Sequence, residues 1–129
     1  MHDVTLIPSG QVAWSSHPTF AGVLVAWLVQ RPEAPAVSCA LVQLPPQAEV
    51  PEHAHGQEDD ILYVLHGRAR MWIEERGDMQ LEAGTFLRIP RGVRHRPHSF
   101  EDGFLAFNVW ASNPASLAPI QPGQGEYHD

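Results

Sequence analysis

Lysine is absent from this sequence, and cysteine occurs once, at Cys39. A single cysteine excludes a disulfide bond within the chain. It leaves the redox compartment undetermined, although a reducing cytosol suits it. The absence of lysine weakens any phosphate-binding role, and the formal net charge of −7 leaves no basic stripe for a nucleic acid backbone. We therefore expect no nucleic acid partner.

Long apolar runs and helical periodicity are also lacking. The longest apolar segment, Ala21–Val29, is too short to cross a bilayer, and we recognise no secretory signal at the N-terminus. No segment keeps a 3.6-residue apolar period for three helical turns. A chain of 129 residues with 43% hydrophobic residues is most naturally one soluble domain with no membrane partner, and we expect a cytoplasmic location.

Turn-forming residues, by contrast, are abundant. Twelve prolines and ten glycines divide the chain into short segments rich in β-branched and aromatic residues. This rhythm predicts an all-β, antiparallel sandwich or barrel rather than alternating strands and helices. Turns are predicted at 66–67 and 76–78. The predicted strands are 21–29, 37–44, 60–65, 68–75, 79–81, 85–89 and 104–110.

Two histidines, His53 and His55, stand two residues apart directly ahead of a predicted strand. Side chains alternate along an extended segment, so both imidazoles face the same way. Asp60 opens the following strand, and His95 is a third, distant imidazole. Two neighbouring histidines, a carboxylate and a distant histidine are a typical ligand set for a divalent metal, provided that the fold brings His95 to the others.

Two segments resemble the sequence motifs of the cupin superfamily. The first, 44–67, contains His53 and His55 in the family pattern Gly-x5-His-x-His-x3–4-Glu-x6-Gly. The second, 84–99, contains His95 in the pattern Gly-x5-Pro-x-Gly-x2-His-x3-Asn. The order of the motifs, their internal spacing and the distance between them all agree, and a double match by chance is improbable.

The resemblance implies a jelly-roll β-barrel in a single domain at 1–110, with the family's barrel at 37–110. The segment 111–129 is polar and contains prolines and glycines, so its composition predicts a tail. We expect the tail to be partly disordered or to lie on a neighbouring surface. The resemblance also implies a homodimer and one divalent transition metal per chain: Fe, Mn, Zn, Ni or Cu. The implied metal ligands are His53, His55, Asp60 and His95.

Three positions depart from the family pattern. Gln47 stands where the first glycine is usual, so the turn there can differ, and Ser99 replaces an asparagine that is more often structural than a ligand. Asp60 occupies the glutamate position and is one methylene shorter. Glu58 has the same strand parity and is the reserve carboxylate, whereas Asp59 should point to the opposite face. Water in place of the acid is a third alternative.

The remaining motif residues have architectural interpretations. Pro90 and Gly92 should form the turn that aims His95 inward, because glycine adopts backbone conformations that bulkier residues resist. His66 is expected at a turn. No role is assigned to the other isolated histidines, which are His2, His17 and His128.

The sequence favours a small metal-dependent enzyme whose substrate is an aromatic, enolisable or carboxylate-bearing small molecule. Its chemistry would be oxygenation first and isomerase, cyclase or lyase chemistry second, with Glu58 or His98 as acid–base candidates. The alternative is a non-catalytic sensor or scaffold that binds a metal or a small ligand. Fold alone does not choose between them, because one fold hosts many functions.

Overall fold

Seven antiparallel strands form nearly all the regular structure of the computed structural model, which describes residues 4–30 and 36–113. A single 3-10 turn at Ser9–Gln11 is the helical element of these residues. This architecture confirms the prediction of an all-β, antiparallel jelly roll. The strands are β1 (Ser15–Ser16), β2 (Leu24–Val29), β3 (Val37–Leu44), β4 (Glu58–Ile73), β5 (Gly77–Glu82), β6 (Phe86–Ile89) and β7 (His95–Ser112).

The two longest strands, β4 and β7, organise the sheet. The strand order is β1-β2-β3-β7-β4-β5, and β6 pairs with β4 beside that path. The first half of β4 pairs with the end of β7, and its second half pairs with the start of β7. The register shifts between Val64 and His66 and again between Gly67 and Ala69. Such bulges bend a strand, so the paired strands fold over and enclose a core.

Gly67 marks the bend because no other residue fits there. Its φ is +83°, and a Cβ added to it would collide with the carbonyl group of Gly103 on β7. Gly103 itself has a φ of +72° and packs against the backbone at Leu44. The two strands therefore approach each other at backbone distance where the sheet turns over.

Apolar side chains from most strands meet inside this folded sheet. Fully burying one aliphatic side chain contributes roughly 1.5–3 kcal/mol, so the cluster is the main stabilising element. The buried cluster comprises Val23, Val25, Ala40, Leu44, Val50, Leu62, Val64, Ala69, Met71, Ile73, Leu81, Ile89, Phe104 and Ala106.

Several predicted strand boundaries were wrong. The strands expected at 60–65 and 68–75 are one continuous strand, because Gly67 forms a bulge instead of a chain reversal. The final strand begins at His95 rather than at 104. The hairpin turn expected at 76–78 lies at 74–76, since Ile73 already pairs with Gly77. His66, expected at a turn, is a strand residue.

The end of the chain is only partly described. Strand β7 continues to Ser112, two residues into the predicted tail, and the tail from 114 onward lies outside the described residues. His2 and His128 also fall outside them. The division into a domain and a tail therefore stays a prediction. Within 4–30 and 36–113, no helix is long and apolar enough to cross a membrane.

Candidate metal site and its cavity

A backbone bridge brings the distant histidine to the first two. His53 and His95 form an isolated antiparallel β-bridge, in which each amide donates to the other residue's carbonyl, at 3.0 and 2.9 Å. Their ring centroids are 4.3 Å apart. The pairing explains how residues from two separate motifs share one site.

His55 is held by the turn of the second motif. The carbonyl of His55 accepts a hydrogen bond of 2.7 Å from the amide of Gly92, whose φ is +80°. Val93 closes the turn by donating to the carbonyl of Pro90 at 3.2 Å. His53 and His55 are both half-buried, and their chain neighbours are exposed, as alternation on an extended segment requires.

One nitrogen from each of His53, His55 and His95 lies within 4.8 Å of the other two. The ring centroid of His55 is 5.5 Å from that of His53 and 5.6 Å from that of His95. Metal–imidazole bonds are about 2.0–2.1 Å long, so one ion can reach three nitrogens spaced in this way. The three imidazoles are close enough to bind a metal together.

Backbone carbonyls select the ring nitrogens that face the site. Nδ1 of His53 lies 2.8 Å from the carbonyl oxygen of Pro51, and Nδ1 of His95 lies 3.0 Å from that of Val93. A carbonyl oxygen only accepts, so Nδ1 carries the hydrogen in both rings and the neutral ring presents a lone pair at Nε2. Carbonyl partners of this kind orient metal-binding histidines in proteins.

Nε2 of His95 is the clearest sign that a cation belongs here. It is buried, it has no hydrogen-bond partner among the described residues, and it lies 3.4 Å from Oδ2 of Asp60. A lone pair facing a carboxylate oxygen is unfavourable unless a proton or a metal cation is shared between them. The donor set, three nitrogens beside a carboxylate, therefore fits a first-row transition metal.

Asp60 faces the cluster and is held from behind by Asn108. Its Oδ2 lies 3.4 Å from Nε2 of both His55 and His95, while Nδ2 of Asn108 donates to Oδ1 at 3.0 Å. Both Asp60 and Asn108 are buried. Asp60 is not part of the group of three mutually close nitrogens. The shorter side chain thus lies beside the cluster, against two of its three rings.

Burial and neighbouring charges shift the pKa values of the cluster in different directions. Burial alone would raise the pKa of Asp60, but contacts with His55 and His95 outweigh burial and hold that pKa well below its usual range. Contact with Asp60 raises the pKa of His55. Burial lowers the pKa of His53, although the hydrogen bond to Pro51 opposes this. Asp60 is thus ionised and His53 neutral near pH 7, the forms that bind metal.

The two acidic neighbours of Asp60 have different positions. Glu58 lies in the cavity wall, close enough to His55 to raise its pKa. Asp59 faces away and binds three segments. Its Oδ2 accepts from the Arg88 guanidinium at 2.9 and 3.0 Å, and its Oδ1 accepts from the amide of Arg91 and from Asn113.

His98 lies away from the cavity. Alternation along β7 places Pro97 in the cavity wall, and the His98 ring packs near Phe100, with 6.1 Å between centroids. Its Nδ1 is buried without a hydrogen-bond partner among the described residues. The structure does not bring His98 to the other site residues, and His98 is therefore not placed to act as an acid or base in the cavity.

The two unusual motif residues are structural. Gln47 has a φ of +57°, the left-handed conformation that explains why glycine is usual there. Ser99 is fully buried, donates from Oγ to the carbonyl of Pro45 at 2.6 Å and accepts from the amide of Ala48 at 2.9 Å. Through these hydrogen bonds Ser99 holds the segment that precedes His53 against β7.

A cavity of about 300 Å³ opens beside the imidazoles. Its walls are mainly apolar, and no lysine or arginine is among the described lining residues. Arg88 and Arg94 are paired with the carboxylates of Asp59 and Glu74, which lie outside the lining. The lining consists of His17, Phe20, Val23, Val25, Trp27, Ser38, Val42, Leu44, Val50, His53, His55, Glu58, Asp60, Leu62, Met71, His95, Pro97, Phe104, Asn108 and Trp110.

Three polar lining residues were not predicted from the sequence: His17, Ser38 and Asn108. No motif spacing links residue 17 to the histidine motifs; its segment reaches the cavity through the pairing of β1 with β2 and of β2 with β3. Asn108 pairs in register with Leu62, two residues after Asp60 on β4. An inward asparagine in an apolar strand is the signal that could have pointed to it.

Comparison with known proteins agrees with this geometry. The sequence profile of the family described as "Cupin domain" matches residues 40–109. Among curated proteins, none matches the sequence significantly.

Several solved structures share the fold. KdgF from Halomonas sp. superposes with a TM-score of 0.73 at 17% identity, covering 88% of this chain and 100% of that one. A predicted oxalate decarboxylase from Thermotoga maritima has a TM-score of 0.71 at 21% identity, covering 84% and 98%. DMSP lyase DddQ from Ruegeria pomeroyi has a TM-score of 0.68 at 18% identity, covering 78% and 56%.

Proposed function

The chain belongs to the cupin family, and we propose that it is a metal-dependent enzyme that transforms a small organic molecule in the cavity beside its three imidazoles. The observation that carries the proposal is the buried Nε2 of His95, which faces Asp60 and the other two imidazoles without a hydrogen-bond partner among the described residues. Nδ1 of His98 is also buried without a partner, but of the two only His95 belongs to a group of three mutually close imidazoles among the described residues.

His53, His55 and His95 would hold one divalent transition metal, with Asp60 as a fourth ligand or as a carboxylate beside the site whose charge offsets that of the ion. Three or four protein ligands leave coordination positions open, which distinguishes a catalytic site from a closed structural one. When bound, such a metal supplies a Lewis acid for a carbonyl or enolate oxygen, or a redox centre for dioxygen.

The protein's own contribution would be binding, water exclusion and proton transfer. Leu62, Phe104 and Trp110 line the cavity and would strip water from an apolar substrate. Glu58 lies in the same wall and is the acid–base candidate that remains. A carboxylate at the cavity edge can take a proton from a carbon acid or return it to a product.

The lining indicates the substrate class. Apart from the imidazoles it offers no cationic side chain among the described residues, so a polyphosphate or a sugar phosphate would have little to bind. A volume of about 300 Å³ with mainly apolar walls suits a small aromatic or enolisable molecule that carries an oxygen for the metal. The names of two structural neighbours, a predicted oxalate decarboxylase and a DMSP lyase, support lyase chemistry alongside oxygenation.

Metal-reconstituted protein tests the proposal. The protein would be loaded separately with Fe(II), Mn(II) and Zn(II) and incubated with aromatic and enolisable compounds, while oxygen uptake and product formation are followed. Oxygen uptake with a redox-active metal would select oxygenation, and turnover without it would select isomerase, cyclase or lyase chemistry. Metal binding without turnover of any compound would favour the non-catalytic sensor or scaffold. The cytoplasmic location stays a prediction.

A further inference from the structure

His17 is a cavity residue that the metal cluster does not account for. It follows β1 in the chain, its backbone amide donates to the carbonyl of Val23 at 2.8 Å, and its side chain lines the cavity. Its imidazole stacks on Phe20, with ring centroids 4.7 Å apart and planes inclined by 23°. The ring is therefore held in one orientation.

The hydrogen bonds of His17 determine its tautomer. Nδ1 accepts from the amides of Thr19 at 3.0 Å and Phe20 at 3.1 Å. A nitrogen that accepts two amide hydrogens cannot carry its own hydrogen, so the neutral ring has its hydrogen on Nε2. Burial also lowers the pKa of His17, which favours the neutral ring. Nε2–H is thus a fixed donor at the opposite edge of the imidazole.

Phe20 sets the spacing between this donor and the cluster. Its ring stacks on His17 and also contacts His53, with centroids 5.1 Å apart. The donor and the imidazoles are thus two polar positions of one cavity, separated by an aromatic ring. A ligand that spans them needs an oxygen at each end and an apolar middle.

We propose that Nε2–H of His17 donates a hydrogen bond to a second oxygen of the substrate and so selects molecules that carry an acceptor beyond the metal-facing group. Among the other polar lining groups, Asn108 already donates to Asp60 and Glu58 is acidic. The hydroxyl of Ser38 and the buried Nε1–H of Trp110 are further donors in the lining, and the His17→Asn variant distinguishes their contribution from that of His17. The inference rests on the proposed function, since it takes the cavity as the substrate site.

The structural and binding roles of His17 can be separated by substitution. In His17→Asn, the amide oxygen can replace Nδ1 as acceptor for the amides of Thr19 and Phe20, because asparagine forms such local turns. The shorter side chain does not place a donor where Nε2–H was. His17→Phe keeps an aromatic ring against Phe20 and removes both functions.

Matched ligand pairs provide the measurement. The probes are 3-acetylcatechol and 4-acetylcatechol against 3-ethylcatechol and 4-ethylcatechol, which have nearly the same shape and lack the carbonyl acceptor. Binding to zinc-loaded protein would be followed by tryptophan fluorescence, since Trp27 and Trp110 line the cavity. We expect at least one acetyl compound to bind wild type about three- to ten-fold more tightly than its ethyl partner, the range of a neutral hydrogen bond.

In His17→Asn the acetyl and ethyl compounds should bind equally tightly, and metal content and thermal unfolding should not change. Nitrogen NMR of the wild type should show His17 protonated at Nε2 and not at Nδ1. The proposal is overturned if Nδ1 carries the proton, if none of the four probes binds, if no acetyl compound is preferred, or if His17→Asn keeps the preference.

The same data separate this inference from the proposed function. Metal content reports on the three-imidazole cluster, whereas the acetyl-to-ethyl ratio reports on His17 and can also be measured in protein that lacks metal. Loss of metal binding with a preserved ratio would therefore refute the metal site alone. If the wild type binds metal normally but binds the acetyl and ethyl compounds equally tightly, the role of His17 alone would be refuted.

Discussion

Backbone carbonyl oxygens determine what the imidazoles of His53 and His95 can bind. Each accepts the Nδ1 hydrogen of its ring and turns the Nε2 lone pair toward the other two imidazoles. Asn108 orients Asp60 in a similar way: it donates to Oδ1, and Oδ2 of Asp60 then faces the cluster. Orientation of ligands before the metal arrives lowers the entropic cost of binding it.

Asn108→Leu should weaken zinc binding by about ten-fold or more, because Asp60 would lose its buried donor and its fixed orientation. Zinc affinity would be measured by competition with a chromophoric chelator. Asn113→Leu is the matched control, since Asn113 donates to Asp59, which faces away from the cavity. Equal affinities for the two variants would contradict the role assigned to Asn108.

Gln47→Gly should stabilise the protein by about 0.5–1 kcal/mol, since Gln47 has a φ of +57° and glycine relieves that conformation at some entropic cost. Denaturation in guanidinium chloride would give the free energy of unfolding. Gln57→Gly is the control, because Gln57 does not have a positive φ and gains nothing from glycine. A destabilised Gln47→Gly variant would show that the strain is absent.

The long strands β4 and β7 show where sequence reasoning succeeds and fails. Their apolar and β-branched runs predicted extended structure correctly at 60–65 and 104–110. The glycine at 67 was misinterpreted as a chain reversal, because a positive φ serves a turn and a bulge equally well. Only the partner strand decides between them, and pairing between distant segments leaves no local signal.

Gly67→Ala should destabilise the protein by about 2–5 kcal/mol, because the new Cβ would collide with the carbonyl of Gly103 in addition to the cost of a positive φ. Gly77→Ala is the matched control. Gly77 has a φ of +79°, and a Cβ there would meet nothing within 4 Å, so only the conformational cost of about 1–2 kcal/mol should appear. Equal losses in both variants would mean that β4 and β7 do not approach closely at Gly67.

For the protein as a whole, the sequence anticipated the family and the four residues around the site. The two motifs predict these residues because each motif is defined by the spacing of residues within one short segment of the chain. The family match confirms the resemblance. His17 gave no local signal, since its place in the cavity depends on which strands become neighbours, whereas Asn108 could have been noticed as a polar residue in an apolar strand. The metal, the substrate and the homodimer remain predictions.

We propose that the homodimer forms through the outer face of the sheet. Leu41, Phe107, Tyr63 and Phe86 lie in one row across β3, β7, β4 and β6. Tyr63 is 46% exposed and Phe86 63% exposed, and because they pair across β4 and β6 they form one contiguous aromatic surface, the kind of patch that marks protein interfaces. Light scattering coupled to size exclusion should give the mass of two chains.

Phe86→Glu should shift that mass toward one chain, because burying an unpaired carboxylate in an apolar interface is unfavourable. Met79→Glu changes another exposed apolar residue, on β5 outside this row, and as the control should leave the mass unchanged. A monomeric wild type at micromolar concentration, or a dimeric Phe86→Glu variant, would contradict this interface.

The metal content of the purified protein tests most directly whether His53, His55 and His95 form one metal site. After dialysis against zinc and removal of excess, elemental analysis of the wild type should find about one ion per chain. His95→Ala should reduce this to background, whereas His66→Ala, which changes an exposed histidine, should retain it. A His95→Ala variant that keeps the full complement of zinc would contradict a metal site built from His53, His55 and His95.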